Sequence, residues 1–195
     1  MILDEFTRNQ MLKFHAKISQ IKFDDKTYLR DLDRYFRRTV REAAREWLIA
    51  VLNAVKTAKP PRHTVGDSFP ISTGEAKGSL VPLGRRLHIA VPISPAPGRE
   101  DRSSIGIQKG SFEVPTTSSA GPNTVQSSYV FNFESGVAHF ELLESNKANP
   151  KSNIRSKTPW HAILAGDIAL QKFLDKNLFK NAPRVNSYFF VSERS

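Results

Sequence analysis

Residues 27–58 read TYLRDLDRYFRRTVREAAREWLIAVLNAVKTA. Apolar side chains fall at 28, 29, 32, 36, 40, 43, 44, 47, 48, 51, 52 and 55, which is the spacing of one helical face. The opposite face carries Arg30, Asp31, Arg34, Arg37, Arg38, Arg41, Glu42, Arg45 and Glu46. Glu42 stands four positions after Arg38 and three before Arg45, and Glu46 lies beside Arg45, so part of this charge is internally paired. Lys59-Pro60-Pro61 closes the helix. A helix of this length with one apolar stripe needs a second layer to cover it, and the rest of the chain is read for that layer.

Upstream, residues 1–27 mix charge with Ile2, Leu3, Phe6, Met11, Leu12, Phe14, Ile18, Ile21 and Phe23. That is too apolar for a disordered tail and too aperiodic for a helix, and it reads as an arm that packs on the body or on a neighbouring subunit. Downstream, Ser72-x-x-Glu75 has the form of a capping box opening a short helix with Ala76, Leu80 and Leu83 on its apolar side, stopped by Pro82 and Gly84. Leu87-His-Ile-Ala-Val91 alternates like a half-buried strand. The segment 94–126 is rich in proline, glycine and serine and reads as a long loop or hairpin, with short apolar pieces at Ile105-Gly-Ile107 and Phe112-Glu-Val114. Tyr129, Phe131 and Phe133 fall on one side of a strand over 127–134; Val137–Leu143 reads as a strand or a helical turn, and 146–157 as a basic loop. Thr158-Pro159 starts a last long helix with Trp160, Ile163, Leu164, Ile168, Phe173, Leu174 and Leu178 inward, ended by Asn181-Ala-Pro183. Val185–Val191 reads as a final strand. The order predicts an α+β fold: a mostly antiparallel sheet against a long N-terminal and a C-terminal helix, in one domain over 28–195, with an N-terminal arm at 1–27 and the long hairpin loop at 94–126.

Composition bounds the chemistry. The chain has 195 residues, 39% of them hydrophobic, a formal net charge of +10 and no cysteine, which excludes disulfides, thiol nucleophiles and cysteine metal sites. Neither a membrane-length apolar run nor a secretory pattern is present, so a soluble, cytoplasmically made protein is expected. His15, His63, His88, His139 and His161 share no metal-ligand spacing, and no nucleophile-elbow motif occurs. Glu134, Glu141 and Glu144 lie close together without other signs of a carboxylate-pair site. Gly74-Glu-Ala-Lys-Gly-Ser79 has the wrong order for a phosphate loop. No enzyme, metal or cofactor is expected. The positive balance allows nucleic-acid contact, with Arg85, Arg86, Arg99, Arg102 and Lys109 as DNA-facing candidates and Lys147, Lys151, Arg155 and Lys157 as a second basic loop.

Three stretches, in order, resemble one family. Phe69-Pro-Ile-Ser-Thr-Gly-Glu-Ala-Lys-Gly-Ser-Leu80 follows the long charged helix; Tyr129-Val-Phe-Asn-Phe-Glu-Ser-Gly136 is an aromatic strand ending at Glu and Gly; Thr158-Pro-Trp160 opens the last helix. Together they resemble tailed-bacteriophage tail-completion and head–tail connector (neck) proteins, of the minor tail protein Z-like kind, over roughly residues 30–180. The matching positions are Pro70, Thr73, Gly74, Ser79, Glu134, Gly136, Pro159 and Trp160. Ala76 stands where the family commonly has a larger apolar residue, and 94–126 is longer than is usual there. The resemblance implies a virion structural protein of the neck or upper tail, assembled in the host cytoplasm as a homo-oligomeric ring, a hexamer or else a dodecamer. The ring would join adjacent connector, stopper or tail-tube proteins, with only transient contact with passing DNA. Phe6, Phe14, Ile105, Ile107, Phe112 and Val114 are the interface candidates on the arm and loop. The alternative reading is a basic nucleic-acid-binding accessory protein.

Overall fold

The computed structural model describes residues 21–57, 74–95, 97–117, 125, 128–137 and 162–191. The capping serine Ser72, the Thr158-Pro159 helix start, the 146–157 loop, and all of the arm before Ile21 lie outside the described residues.

Helix α1 spans Asp25–Thr57. It contains no glycine or proline, and it is capped where the Asp24 carboxylate accepts from the Thr27 backbone N–H at 3.0 Å. That bond holds the Asp24 carboxyl below its ordinary value, with nearby Arg30 and Lys26 adding to it. A carboxylate with a depressed pKa supports the fold above its unfolded value of about 3.9 and loses that support as pH falls through the folded value. The stability gap between wild type and Asp24→Ala is therefore expected to be full at pH 6, to narrow as pH falls below the unfolded value of about 3.9 and to close once pH drops through the lower folded value, read from thermal melts by circular dichroism; a gap independent of pH excludes the cap.

The inward stripe of α1 includes Ala44, Trp47, Leu48 and Val51, all essentially inaccessible. It packs on α5, Ala162–Asn177. Tyr35 Oη donates to the Asn177 carbonyl at 2.7 Å and Trp47 Nε1 to Asp167 Oδ1 at 2.8 Å. Contacts that rise along one helix and fall along the other make the pair antiparallel. Gly166 is what lets the axes approach, since a β-carbon there would lie 2.7 Å from both Trp47 Nε1 and Val51 Cγ2. The outer ends of this hairpin are tied by a two-stranded antiparallel ribbon, β1 (Ile21–Phe23) with β4 (Phe189–Val191), in the register Phe23 opposite Phe189.

The second layer is built from short elements. They are α2 (Glu75–Gly78), α3 (Val81–Leu87), α4 (Ser103–Lys109), β2 (Gly110–Glu113) and β3 (Asn132–Ser135). β2 and β3 pair antiparallel with Phe112 opposite Phe133. Ala76, Leu80, Leu83 and Leu87 meet Ala44, Trp47, Leu48 and Val51 in one core, joined by Val137 and Ala162. The chain is thus α+β, with a long N-terminal and a C-terminal helix as expected; its strands, among the described residues, form two antiparallel pairs rather than one sheet.

Four local expectations are corrected. Residues 87–91 do not form a strand: Leu87 ends α3, His88 takes a left-handed conformation at φ 57°, and the Ile89 N–H returns to the Gly84 carbonyl at 2.8 Å. This is a helix-closing turn, and the alternation of Leu87, Ile89 and Val91 records packing back onto α3. Pro82 does not stop a helix but lies in the first turn of one, where its missing N–H costs nothing. Ile105-Gly-Ile107 lies in helix α4 and not in an extended loop. Of the final strand only Phe189–Val191 forms, Val185–Tyr188 being a turn of 3-10 helix.

Candidate functional site

Every residue from 74 to 80 is buried, though the segment reads GEAKGSL and carries two charges. The physical reason is glycine on both sides of a crossing. Gly74 adopts φ 77°, the left-handed turn that starts α2, and a β-carbon on it would sit 2.6 Å from the Ile93 carbonyl oxygen. Across the contact, a β-carbon on Gly78 would lie 2.4 Å from the Ser103 carbonyl oxygen. One on Gly106 would lie 1.9 Å from that of Glu75, and one on Gly110 2.0 Å from that of Ser79. Segments 74–80 and 103–110 therefore touch backbone to backbone.

The N-cap of α2 is Gly74, which has no side chain to cap with, and the Ser72 half of the expected capping box lies outside the described residues. The Glu75 carboxylate, 4% exposed, is held by Lys109 Nζ at 2.7 Å and Arg102 Nε at 3.4 Å. Both cations come from the facing segment, so the ion pairs clamp the crossing that the glycines permit. Ser79 Oγ donates to the Ala76 carbonyl at 2.8 Å and accepts from Ser135 Oγ at 2.9 Å, while the Gly136 N–H donates to the Lys109 carbonyl at 2.9 Å. Gly74, Ser79 and Gly136 are thus brought together in one packed unit; Glu134 points outward beside Asn132. Pro70, Thr73, Pro159 and Trp160 lie outside the described residues.

The proposed surface groups divide. Ile105 is exposed and Ile107 half-buried, and Phe112 and Val114 are half-buried with one side packed against the core. Phe6 and Phe14 lie outside the described residues. Arg102 and Lys109 are engaged by Glu75, while Arg85, Arg86 and Arg99 are exposed and carry no ion pair among the described residues.

Two features were not visible in the sequence. Arg37, read as solvent-facing, is buried, with its Nε 2.8 Å from Asp33 Oδ2. Tyr129 Oη donates to the other Asp33 oxygen at 2.8 Å. The second feature is an open groove of about 450 Å³ lined by Trp47, Phe131, Phe133, Ile163, Asp167 and Leu170. Phe131 and Phe133 stand 5.3 and 5.4 Å from the Trp47 ring, so the alternating aromatics just before and within β3 form its wall. Among the described residues no cluster of three metal-ligating side chains occurs, and no helix is long and apolar enough to cross a membrane.

No family model, no curated protein and no solved structure matches the chain.

Proposed function

We propose that this chain is a structural subunit of the neck or upper tail of a tailed bacteriophage, acting in a homo-oligomeric ring that joins head to tail and lets DNA pass. The observation that supports this reading is the junction of two of the three family-like stretches. Ser79 and Ser135, 56 positions apart, share a hydrogen bond inside the glycine crossing. The shared residues build a scaffold, and on this reading none has a catalytic task. Exposed Ile49, Ile105, Val130, Leu164 and Ile168 offer apolar surface for neighbouring subunits. A closed ring requires head-to-tail contacts between unlike faces.

Native mass measured at low and high protein concentration tests the reading. A discrete six- or twelve-fold species is the expected result. A chain that stays monomeric, and does not assemble when mixed with phage heads or tails lacking this subunit, overturns it. The second reading, a nucleic-acid-binding accessory protein, is favoured by the arginine cluster described next.

A further inference from the structure

Two arginines of α1 reach across to the C-terminal end of α3. Arg41 donates from Nη2 to the Arg86 carbonyl at 3.1 Å and from Nη1 to the Pro115 carbonyl at 3.3 Å. Arg45 donates from Nη1 to the Leu87 carbonyl. These acceptors are neutral, so they fix the guanidinium groups without cancelling their charge. Arg38 lies one turn before Arg41 on the same stripe, and Arg85 and Arg86 occupy the last turn of α3. The only carboxylate within ion-pair distance of these five among the described residues is Glu42, 3.5 Å from Arg45. Burial, with Arg86 close by and Arg45 adding to it, pushes Arg41 below its ordinary value, and Glu42 offsets this only in part. Elsewhere on the helix the pattern differs, because Arg30 and Arg34 both meet Asp31.

We infer that Arg38, Arg41, Arg45, Arg85 and Arg86 form a binding surface for the phosphate backbone of duplex DNA. Guanidinium forks match phosphate oxygens in pairs, and here two of them are held in place before any ligand arrives. Among the described residues no aromatic side chain is interleaved with the five, so the surface is built for backbone contact without base stacking, which favours a duplex over a single strand. The net charge of +10 adds long-range attraction to a polyanion. The surface differs from the sequence-based assignment in leaving out Arg99, which lies on the loop before α4, in dropping Arg102 and Lys109, which Glu75 engages, and in adding the α1 arginines. It stands on the cluster and not on the ring, so native mass and DNA affinity can fail separately.

The test is anisotropy of the full-length chain with a fluorescent mixed-sequence duplex over a range of sodium chloride. The expected loss in the log–log salt slope is about 2 for Arg85→Gln/Arg86→Gln and about 1 more on adding Arg38→Gln, with unchanged circular dichroism because these side chains are exposed. The control Arg30→Gln/Arg34→Gln removes the same charge from the Asp31 pair and is expected to leave the slope nearly unchanged. Equal losses for the two double variants, an unchanged slope for Arg85→Gln/Arg86→Gln, or competition by polyglutamate as effective per charge as unlabelled duplex each overturn the inference.

Discussion

Gly106→Ala is expected to destabilise the domain by at least about 3 kcal/mol or to prevent folding, the upper end of what overpacking does. Intrinsic preference argues the other way. Gly106 lies inside helix α4, where alanine in place of glycine favours the helix by about 0.8–1 kcal/mol. The contact decides, because the new β-carbon would meet Glu75 oxygen at 1.9 Å, its carbonyl carbon at 2.8 Å and its α-carbon at 3.1 Å. All three atoms are backbone, so no side chain can rotate away. The segment that would have to retreat is buried along its whole length and clamped by Lys109 and Arg102. Gly78→Ala and Gly110→Ala meet the same obstacle, with 2.4 and 2.0 Å to opposing carbonyl oxygens. Gly98 is the control. It has φ 74° and open space around its β-position, so Gly98→Ala carries only the left-handed backbone cost of about 1–2 kcal/mol. Urea unfolding followed by circular dichroism separates the cases. A Gly106→Ala protein as stable as wild type would mean that the two segments do not touch backbone to backbone.

This crossing also marks the limit of what the sequence discloses. The glycines and the serine of GEAKGSL are legible as a special backbone turn, and Gly74 does supply it. What could not be read is why Glu75 and Lys77 are buried, since the cations that hold Glu75 stand 27 and 34 positions further on. Long periodic elements were legible because periodicity is local: α1 lies where its apolar stripe puts it, and α5 forms as a helix, although it buries Ala162 and Gly166 and leaves Leu164 and Ile168, both read as inward, exposed. The short elements were not. Pro82, Gly84 and the 87–91 alternation are equally compatible with a stopped helix and a strand until the Ile89 to Gly84 hydrogen bond is known. Ile105-Gly-Ile107 is too short to show a period, and its helix is selected by the glycine that faces Glu75. For the site, the family-like stretches were legible as residues, but that two of them share one packed unit is a tertiary fact. The basic stripe was legible as charge; which members are neutralised depends on the partners each one meets.

The buried pair on α1 supplies the other large expected effect. Asp33 has no exposed surface and Arg37 is 4% exposed, although both sit on a helix whose charge pattern reads as solvated. Residues far along the chain cover them: Tyr129 lies with its ring centroid 5.8 Å from the Arg37 guanidinium carbon, and Thr116 Oγ1 lies 3.5 Å from Nη1. Arg37 Nη2 is buried with no hydrogen-bond partner among the described residues, so the guanidinium already sits at the edge of adequate compensation. Asp33→Ala removes the carboxylate 2.8 Å from Nε and leaves a cation in a dry site, and the expected loss is about 3–5 kcal/mol. Arg37→Met removes the cation from beside a buried carboxylate that keeps its bond from Tyr129, and is expected to lose somewhat less. The double variant Asp33→Leu/Arg37→Met strands no charge and costs only the Tyr129 hydroxyl its Asp33 acceptor, and apolar side chains of comparable size fit a site already walled by Tyr129 and Phe36. It is expected within about 1–2 kcal/mol of wild type, so the two single losses do not add. A denaturant cycle on the four proteins measures the coupling. Single losses below about 1 kcal/mol would place the pair in contact with water, because only hydration makes an uncompensated charge cheap. The coupling should also persist in 1 M salt, unlike the Arg30 and Arg34 pairs with Asp31, which lie where mobile ions reach them.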